Sequence, residues 1–183
     1  MIYIETPGTE PEFNLALEEF VFDYLPQDET YFMLWQNENA VIVGKNQNTE
    51  AEINHKYVEE QQIHVVRRLS GGGAVYHDSG NLNFITDVED AEQLNLHMFC
   101  QAMAEALQAL GVDAVVNGRN DITIDGKKFS GNAQYIKRGR IMHHGTIMFD
   151  SDLNRVSLAL RVSKDKLEGK GTNSVRSRVT NVK

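Results

Sequence analysis

A glycine-rich segment at residues 67–78 holds the side chains best suited to bind an anion. The three glycines at 71–73 leave main-chain N–H groups without side-chain cover, so a phosphate or carboxylate could approach them closely. Arg68 offers a guanidinium suited to oxyanions, and Ser70 offers a hydroxyl. The alternative is a plain hairpin turn, but the flanking arginines, serine and His77 favour an anion-binding loop. The segment matches neither a Walker loop nor a dinucleotide fingerprint.

Two further segments carry charges that could act on a bound anion. Lys128 precedes residues 130–132, Ser-Gly-Asn, which predict a turn. There its ammonium could stabilise charge developing on a reacting carboxyl or phosphoryl group. A solvated pair formed by Lys127 and Lys128 explains this segment equally well. Asp121 could bind Mg²⁺, which prefers a carboxylate plus phosphate oxygens, although a turn or helix-capping aspartate is the usual role.

Two other features favour structural roles, and a third stays open. His143 and His144 are adjacent on a predicted strand, where neighbouring side chains point to opposite faces, so they cannot easily ligate one metal together. No zinc-type ligand spacing is present. Cys100 lies in an amphipathic helix, which predicts a buried, inert thiol and weakens any thioester mechanism. Residues 171–179 could supply arginines to a phosphate or form an exposed basic tail.

Composition limits the class of protein. The chain has 183 residues, 41% of them hydrophobic and 24% charged, which predicts one domain with a packed core. A formal net charge of −8 argues against nucleic-acid binding, and local basic clusters suit small anionic ligands better. The sequence lacks a membrane-spanning run and a signal peptide. The single cysteine fits a reducing cytoplasm, so we expect a cytoplasmic protein without a membrane partner.

The elements that must position these residues follow from periodicity and turn residues. Helices are predicted at 13–22, 49–62, 94–110 and 153–160, with Asn14 as the first N-cap. Strands are predicted at 31–35, 40–44, 63–67, 82–86, 114–116, 121–124 and 141–149, and a further apolar strand is predicted directly after the glycines. Because strands outnumber helices and often follow one another directly, we expect an α+β fold with a mixed β-sheet flanked by helices.

Six blocks together resemble the lipoate–protein ligases of the biotin/lipoate protein ligase superfamily. They are VIVGKNQN at 41–48, RRLSGGGAVYHD at 67–78, GRND at 118–121, KFSGNA at 128–133, HHGT at 143–146 and SVRSRVTN at 174–181. They occur in the family's order and span nearly the whole chain after the first helix. This ordered set is far more specific than any single glycine-rich loop.

The resemblance implies a biotin/lipoate protein ligase-like catalytic domain and a two-step, ATP-dependent activity. Lipoate and ATP would give lipoyl-AMP and pyrophosphate with Mg²⁺, and a lysine of an acceptor lipoyl domain would then take the lipoyl group in an amide bond. The implied acceptors are lipoyl domains of 2-oxoacid dehydrogenase complexes or the glycine cleavage H protein. Fixed cations and main-chain dipoles in a water-poor site would offset the repulsion between carboxylate and phosphate.

The same resemblance implies roles for individual residues. Lys128 would be catalytic and would contact both lipoate and nucleotide. The implied ATP- or AMP-binding residues are Arg68, Gly73, Ala74, Val75, Tyr76, Asn120, Asp121 and Lys128. The implied lipoate-binding residues are Arg68, Ser70, Gly72, His77 and Lys128. Asp121 would bind Mg²⁺.

The sequence departs from the family pattern at its end, because family ligases usually continue well beyond the block at 174–181. We therefore expect residues 1–183 to form one incomplete ligase domain without the family's small C-terminal accessory domain. Two alternatives stay open. One is an octanoyl- or lipoyl-transferase of the same superfamily, which would use a cysteine thioester for which Cys100 is poorly placed. The other is a non-catalytic fragment that binds lipoate or lipoyl-AMP and needs a partner domain.

Overall fold

A computed structural model describes residues 1–88, 95–118, 120–161 and 178–183. The helices are α1 Pro11–Tyr24, α2 Thr49–Glu52, α3 His55–Glu60, α4 Leu96–Ala109 and α5 Leu153–Ala159. The strands are β1 Ile2–Ile4, β2 Tyr31–Trp35, β3 Ala40–Val43, β4 His64–Arg67, β5 Val75–His77, β6 Asn81–Val88, β7 Val115–Asn117, β8 Asp121–Ile124, β9 Lys127–Lys137 and β10 Arg140–Met148. No helix within these ranges is long and apolar enough to cross a bilayer.

The strands form two sheets. The larger has the order β1-β2-β6-β10-β9-β8-β7, in which only β1 and β2 pair in parallel. The smaller has the order β4-β3-β5, with β3 parallel to β4 and antiparallel to β5. Both sheets are therefore mixed. The expected α+β fold with a mixed sheet flanked by helices is confirmed, although the strands divide between two sheets.

Helices cover both faces of the larger sheet. Phe84, Ile122 and Phe129 pack against Cys100 and Ala104 of α4 on one face. A cluster on the other face contains residues of α1 and of strands β2, β6 and β10: Phe22, Met33, Trp35, Ile85 and Met142. A third cluster joins β3 of the smaller sheet to α3 and α5. The functional residues described below lie where the α1-facing side of the larger sheet meets the smaller sheet.

The prediction that Asn14 caps the first helix is wrong. The helix begins at Pro11, with Glu10 as its N-cap, because proline suits the first helical position, where its missing N–H is not needed. Asn14 lies one turn inside the helix and is fully buried. Its amide nitrogen donates to the main-chain oxygens of Gly8 and Gln36, so this residue ties α1 to two loops.

Two other predictions are wrong for identifiable reasons. The helix predicted at 49–62 is divided at Asn54, whose side chain caps α3 and also donates to the Leu158 oxygen. The turn predicted at 130–132 is the middle of β9, an eleven-residue strand. The segment is polar because part of it faces a cavity, where apolar side chains are not required. It is a strand because β8 and β10 pair with its main chain on both sides. The short strand β1 was also missed.

Candidate active site

The described residues enclose a cavity of about 510 Å³ between the two sheets. Its apolar walls include Leu15, Trp35, Ile42 and Leu96. The predicted site residues that line it are Arg68, Gly72, Gly73, Ala74, Val75, His77, Asn120 and Lys128. The fold thus brings residues from α1 through β10 to one concave surface, which is the usual form of a small-molecule site.

The floor of this cavity is one row of residues across the larger sheet. Trp35 pairs with Asn83, Asn83 with Thr146, Thr146 with Gly131, and Gly131 with Asp121. Directly paired residues point to the same face of a sheet. The first four line the cavity. This row defines the long direction of the site, with Trp35 at one end and Asp121 at the other.

Arg68 stabilises the glycine-rich loop. Its guanidinium donates to the main-chain oxygens of Ile42, Gly71 and Gly73, and its Nε donates to Ser70 Oγ. Burial lowers the pKa of Arg68, and the charges of Glu18 and Glu52 act in the opposite direction. Most of the Arg68 guanidinium N–H groups, which were predicted to bind an oxyanion, therefore hold the loop in place. Gly72 has a φ of 94°, a conformation that favours glycine.

Arg67 holds a second loop, between β3 and α2. Its guanidinium donates to the oxygens of Gly44, Lys45 and Gln47 and to Thr49 Oγ1. The Lys45 N–H in turn donates to the Ser70 oxygen at 2.8 Å. The two adjacent arginines therefore stabilise two adjacent loops of the site.

A buried hydrogen-bonded chain connects α1 to the glycine-rich loop. The Glu18 carboxylate accepts from His144 Nδ1 at 3.0 Å, and His144 Nε2 is hydrogen-bonded to Ser70 Oγ. Ser70 Oγ accepts from Arg68 Nε at 3.1 Å. The order Ser-His-Glu resembles a hydrolase triad. However, Ser70 is only 1% exposed and is not among the described residues that line the cavity. The chain therefore orients His144 and the loop and does not present a nucleophile.

A bulge in β9 directs Lys128 toward the cavity. Ile122 pairs with Ser130 but Thr123 pairs with Lys128, so one extra residue lies between the two pairs. Residues three apart on a regular strand face opposite sides, whereas this bulge places Lys128 on the same side as Gly131 and Asp121. Lys128 Nζ lies 2.7 Å from Asp121 Oδ1, and each side chain is 38% exposed.

A second, smaller cavity of about 350 Å³ lies beyond Lys128. Ala74 and Lys128 line both cavities, and Asp121, Arg161 and Arg178 line the smaller one. The main chain of Lys128 bonds to the oxygen of Arg178 and the N–H of Thr180. Lys128 therefore lies at the junction of the larger cavity, whose lining is both apolar and polar, and a smaller one lined by two arginines and by the carboxylates of Glu52 and Asp121.

The remaining predicted residues occupy different positions. The Tyr76 side chain is buried in the core, where burial raises its pKa to about 12, so a ligand can contact only its main chain. Asn120 donates to the Asn132 oxygen, which joins the start of β8 to β9. His143 lies on the face opposite His144, as predicted, and stacks on Phe99 at 4.5 Å. Arg119 and residues 162–177 lie outside the described residues, so Arg176 is not placed, whereas Arg178, the other arginine of the predicted segment, lines the smaller cavity.

Cys100 is fully buried in the α4 core, as the sequence predicts. Burial raises the pKa of its thiol to about 11, with a further contribution from the Asp121 charge. It does not line either cavity. A thiol in this environment stays protonated and unreactive.

Sequence reasoning missed the residues at the Trp35 end of the cavity. Glu18 and Trp35 both line the cavity but were assigned only to a helix and a strand. Asn37, in the turn after β2, was also missed and bonds to His77 at 3.1 Å. One usable signal was present: Asn14 and Glu18 are polar residues four apart within an apolar helical pattern, so both lie on one face of α1.

The described residues around Asp121 supply too few ligands to hold a metal ion by themselves. No group of three or more His, Cys, Asp or Glu side chains within the described ranges is placed to hold a metal ion. Asp121 supplies one carboxylate beside the smaller cavity. Mg²⁺ commonly uses one or two carboxylates together with substrate phosphates.

The family model for the lipoyl protein ligase A/B catalytic domain matches residues 10–183. The chain is 51% identical over 185 residues to lipoate-protein ligase LplJ of Bacillus subtilis, which covers 100% of this chain and 56% of that protein. It is 49% identical over 176 residues to lipoate–protein ligase 1 of Staphylococcus aureus, covering 95% and 54%. The chain spans about half the length of these curated relatives.

Solved structures give the same result. A lipoate-protein ligase A bound with ATP has a TM-score of 0.84 at 30% identity, covering 99% of this chain and 74% of that one. A bipartite lipoate protein ligase of Thermoplasma acidophilum, studied with its E2 lipoyl domain, has a TM-score of 0.83 at 32% identity, covering 99% and 73%. A putative lipoate protein ligase from that organism with bound lipoic acid has a TM-score of 0.83 at 30% identity, covering 100% and 75%. The chain belongs to the lipoyl protein ligase A/B catalytic-domain family.

Proposed function

We propose that this chain carries the lipoate- and ATP-binding site of a lipoate–protein ligase. The reaction would convert lipoate and ATP to lipoyl-AMP and pyrophosphate, and then transfer the lipoyl group to a lysine of an acceptor lipoyl domain. One observation carries the proposal. Lys128 lines both the larger cavity, which has apolar walls at Leu15, Trp35 and Ile42, and the smaller cavity, which Arg161 and Arg178 line. One ammonium can therefore contact an acyl carboxylate and a phosphate together.

The two steps need the same positive charge. In the first step a carboxylate oxygen forms a bond to the α-phosphorus while the bond to pyrophosphate breaks. In the second step the acceptor amine attacks the acyl carbon, AMP leaves with the bonding electron pair, and the amine loses a proton. Both steps develop negative charge beside Lys128, which a fixed ammonium stabilises without reorganisation. Mg²⁺, accompanying ATP and held in part by Asp121, would neutralise phosphate charge.

Residue roles in this proposal follow the two cavities. Lys128 is the catalytic residue. The glycine-rich main chain at 72–75, held by Arg68, would contact both ligands, although the Ala74 N–H already donates to Glu52 Oε2 at 3.2 Å. Asn120 and Asp121 serve the nucleotide side, together with the main chain of Tyr76. His77 would contact the lipoyl group. Ser70 would act indirectly, by orienting His144 in the cavity wall.

Structures of similar proteins support the proposed substrates and the proposed acceptor. Solved structures at 30% identity include one ligase bound with ATP and one with bound lipoic acid. The bipartite ligase was studied with an E2 lipoyl domain, so a lipoyl domain is the proposed acceptor class. Acceptors would be the lipoyl domains of 2-oxoacid dehydrogenase complexes or the glycine cleavage H protein, in the cytoplasm.

The test mixes the chain with lipoate, ATP, Mg²⁺ and an unmodified lipoyl domain, and follows the acceptor by intact mass spectrometry. A parallel reaction supplies pre-made lipoyl-AMP. Lipoylation in the first reaction supports the complete ligase activity. Lipoylation or tight binding only with lipoyl-AMP supports a binding or transfer unit that needs a partner for adenylate formation. If the chain neither binds lipoyl-AMP nor modifies the acceptor, the proposal is wrong.

The same assay separates this proposal from a thioester transferase. Because Cys100 is fully buried and lies outside both cavities, we expect Cys100→Ala to keep lipoylation within about twofold of the parent chain. Complete loss in a folded Cys100→Ala variant, or a requirement for an acyl-carrier protein as donor, would favour the transferase.

A further inference from the structure

The smaller cavity contains a carboxylate that makes no ion pair. Glu52, at the end of α2, lines this cavity together with Asp121 and the basic side chains of Lys128, Arg161 and Arg178. Asp121 is paired with Lys128 at 2.7 Å. Glu52 forms no ion pair with another residue of the described ranges. A negative charge without a direct partner therefore faces the space proposed for the nucleotide.

Contacts of both the side chain and the main chain hold this carboxylate in position. Glu52 Oε2 accepts from the N–H of Ala74, the residue that follows the three glycines, at 3.2 Å. The main-chain oxygen of Glu52 accepts from the Arg161 N–H at 2.8 Å, and the next residue, Ile53, forms a β-bridge with Leu160. The carboxylate thus remains at the wall of the cavity as long as the loop is in place.

The proposed reaction changes the charge of the ligand in this cavity. In lipoyl-AMP the phosphate is bonded to both the lipoyl group and the ribose, so it carries one negative charge. When the acceptor amine attacks the acyl carbon, the acyl C–O bond breaks, its electron pair leaves on AMP, and the amine gives up a proton to solvent. AMP is then a phosphate monoester, with a charge of about −1.5 to −2 at pH 7. A fixed carboxylate in the cavity disfavours this additional charge.

We infer that the charge of Glu52 determines the preference of this cavity for the acyl-adenylate over AMP, so that AMP leaves readily once the lipoyl group has been transferred. The inference rests on the proposed function, which places the phosphate beside Lys128. The three basic side chains attract both ligands, and the carboxylate lowers the affinity for the more highly charged one. Glu52 is thus a specificity-determining residue for the charge of the bound nucleotide.

The size of the effect follows from the surroundings of Glu52, which is neither fully buried nor fully exposed. In such surroundings one additional unit charge near a carboxylate changes an affinity by about threefold to tenfold. ATP is proposed to enter with Mg²⁺, whose charge offsets that of the phosphates. The carboxylate therefore acts most strongly on free AMP, the product of the second step.

Two substitutions separate the charge of Glu52 from its contact with the loop. Glu52→Gln removes the charge and keeps an oxygen that can accept from the Ala74 N–H. Glu52→Asp keeps the charge, but its side chain is one methylene shorter and loses the contact. Glu50→Gln is the matched control, since Glu50 lies two residues away on the same helix and its side chain is 77% exposed.

The measurement is the ratio of the dissociation constants of AMP and lipoyl-AMP in the four proteins. Calorimetry gives the affinity for pre-made lipoyl-AMP without an acceptor, and displacement of that ligand gives the affinity for AMP. In Glu52→Gln we expect AMP to gain more affinity than lipoyl-AMP, so that the ratio falls about threefold to tenfold below that of the parent chain. In Glu52→Asp and Glu50→Gln it should stay within about twofold of the parent value.

Different failures have different meanings. An unchanged or increased ratio in a folded Glu52→Gln variant, an equal fall in Glu52→Asp, or no displacement by AMP from any of the four proteins overturns this inference and leaves the nucleotide site intact. Failure of the parent chain to bind lipoyl-AMP rejects the proposed function and the inference with it. If thermal denaturation shows that Glu52→Gln does not fold, Glu52→Ala replaces it and should lower the ratio in the same way, because it also removes the charge.

Discussion

Gly44 lies so close to Gly72 that a Cβ atom on Gly44 would overlap the Gly72 carbonyl group. The same atom would lie 3.2 Å from the Arg68 guanidinium. The loop after β3 and the glycine-rich loop thus meet at a point where neither can carry a side chain. This contact fixes the position of residues 71–73 over the cavity.

We expect Gly44→Ala to displace the glycine-rich loop and to lower the free energy of unfolding by about 1–3 kcal/mol, the usual cost of overpacking. Urea denaturation measures this loss, and calorimetry should show weaker lipoate binding. Gly8→Ala is the control, because a Cβ there meets no atom within 4 Å. A Gly44→Ala protein as stable as the Gly8→Ala protein would contradict the proposed contact.

Under the proposed function, Lys128→Ala should reduce lipoyl transfer from pre-made lipoyl-AMP by a hundredfold or more, because the ammonium would stabilise charge formed in that reaction. The fold should be retained, since the side chain is 38% exposed and pairs only with Asp121 among the described residues. Lys127→Ala is the matched control, since Lys127 is the exposed neighbour on the same strand. Near-normal transfer by Lys128→Ala would refute the assigned role.

Acid should destabilise the protein through its buried histidines. Burial lowers the pKa of His143 to about 3, with a smaller effect of the His144 charge, and that of His77 to about 3. The unfolded chain binds protons at these residues below about pH 6.5, and the folded chain does so only near pH 3. The free energy of unfolding therefore falls as the pH drops from about 6.5 toward 3.

Urea denaturation of His143→Phe across this pH range checks that expectation. Phenylalanine can occupy the stack on Phe99 but cannot take up a proton, so the slope of stability against pH should become shallower. His97→Gln, at an exposed position of α4, should leave the slope in place. An unchanged slope in His143→Phe would show that this ring is not the group titrating.

Asp87 should lower the free energy of unfolding as the pH rises, which is the opposite of the effect of the buried histidines. It is fully buried, and burial raises the pKa of its carboxyl to about 8, with Arg140 acting against the shift and Glu18 adding to it. Between about pH 4 and 8 the unfolded state has lost this proton and the folded state keeps it. Stability associated with Asp87 is therefore present at low pH and is lost as the pH rises toward 8.

Asp87→Asn keeps the size of the side chain and removes the titration. We expect it to raise the free energy of unfolding relative to the parent chain at pH 7–8, with the gain disappearing near pH 4, as measured by urea denaturation at both ends of the range. Asp113→Asn, at an exposed position, serves as the control. A gain of equal size at pH 4 and pH 8 would show that Asp87 does not titrate in this way.

Much of the fold could be predicted because its signals are local. Alternating or continuous apolar runs predict β2, β3, β6 and β10, and the amphipathic pattern before Gly111 predicts α4. In contrast, β9 was read as a turn, because its middle lines a cavity and its main chain is satisfied by β8 and β10. Polar side chains there line the cavity and are not a sign of an exposed turn.

The site could be predicted only where its residues form a sequence motif. Arg68 and Lys128 were assigned from such motifs, but the bulge that directs Lys128 depends on pairing between β8 and β9 and leaves no mark in the sequence. Arg68 was expected to bind an anion directly, whereas most of its donors hold the loop. The contact between Asn37 and His77 joins residues 40 positions apart and has no local signature.

The row from Trp35 to Asp121 has one further consequence for how such a site can change during evolution. It runs across the strands, so its span is counted in strand spacings of about 4.8 Å and not in residues. Insertions at hairpin tips, such as Asp125 and Gly126 or Arg138 and Gly139, lengthen strands without altering that span. The span of the cavity floor is therefore insensitive to insertions at these hairpin tips, whereas substitutions within the row change the side chains that line it.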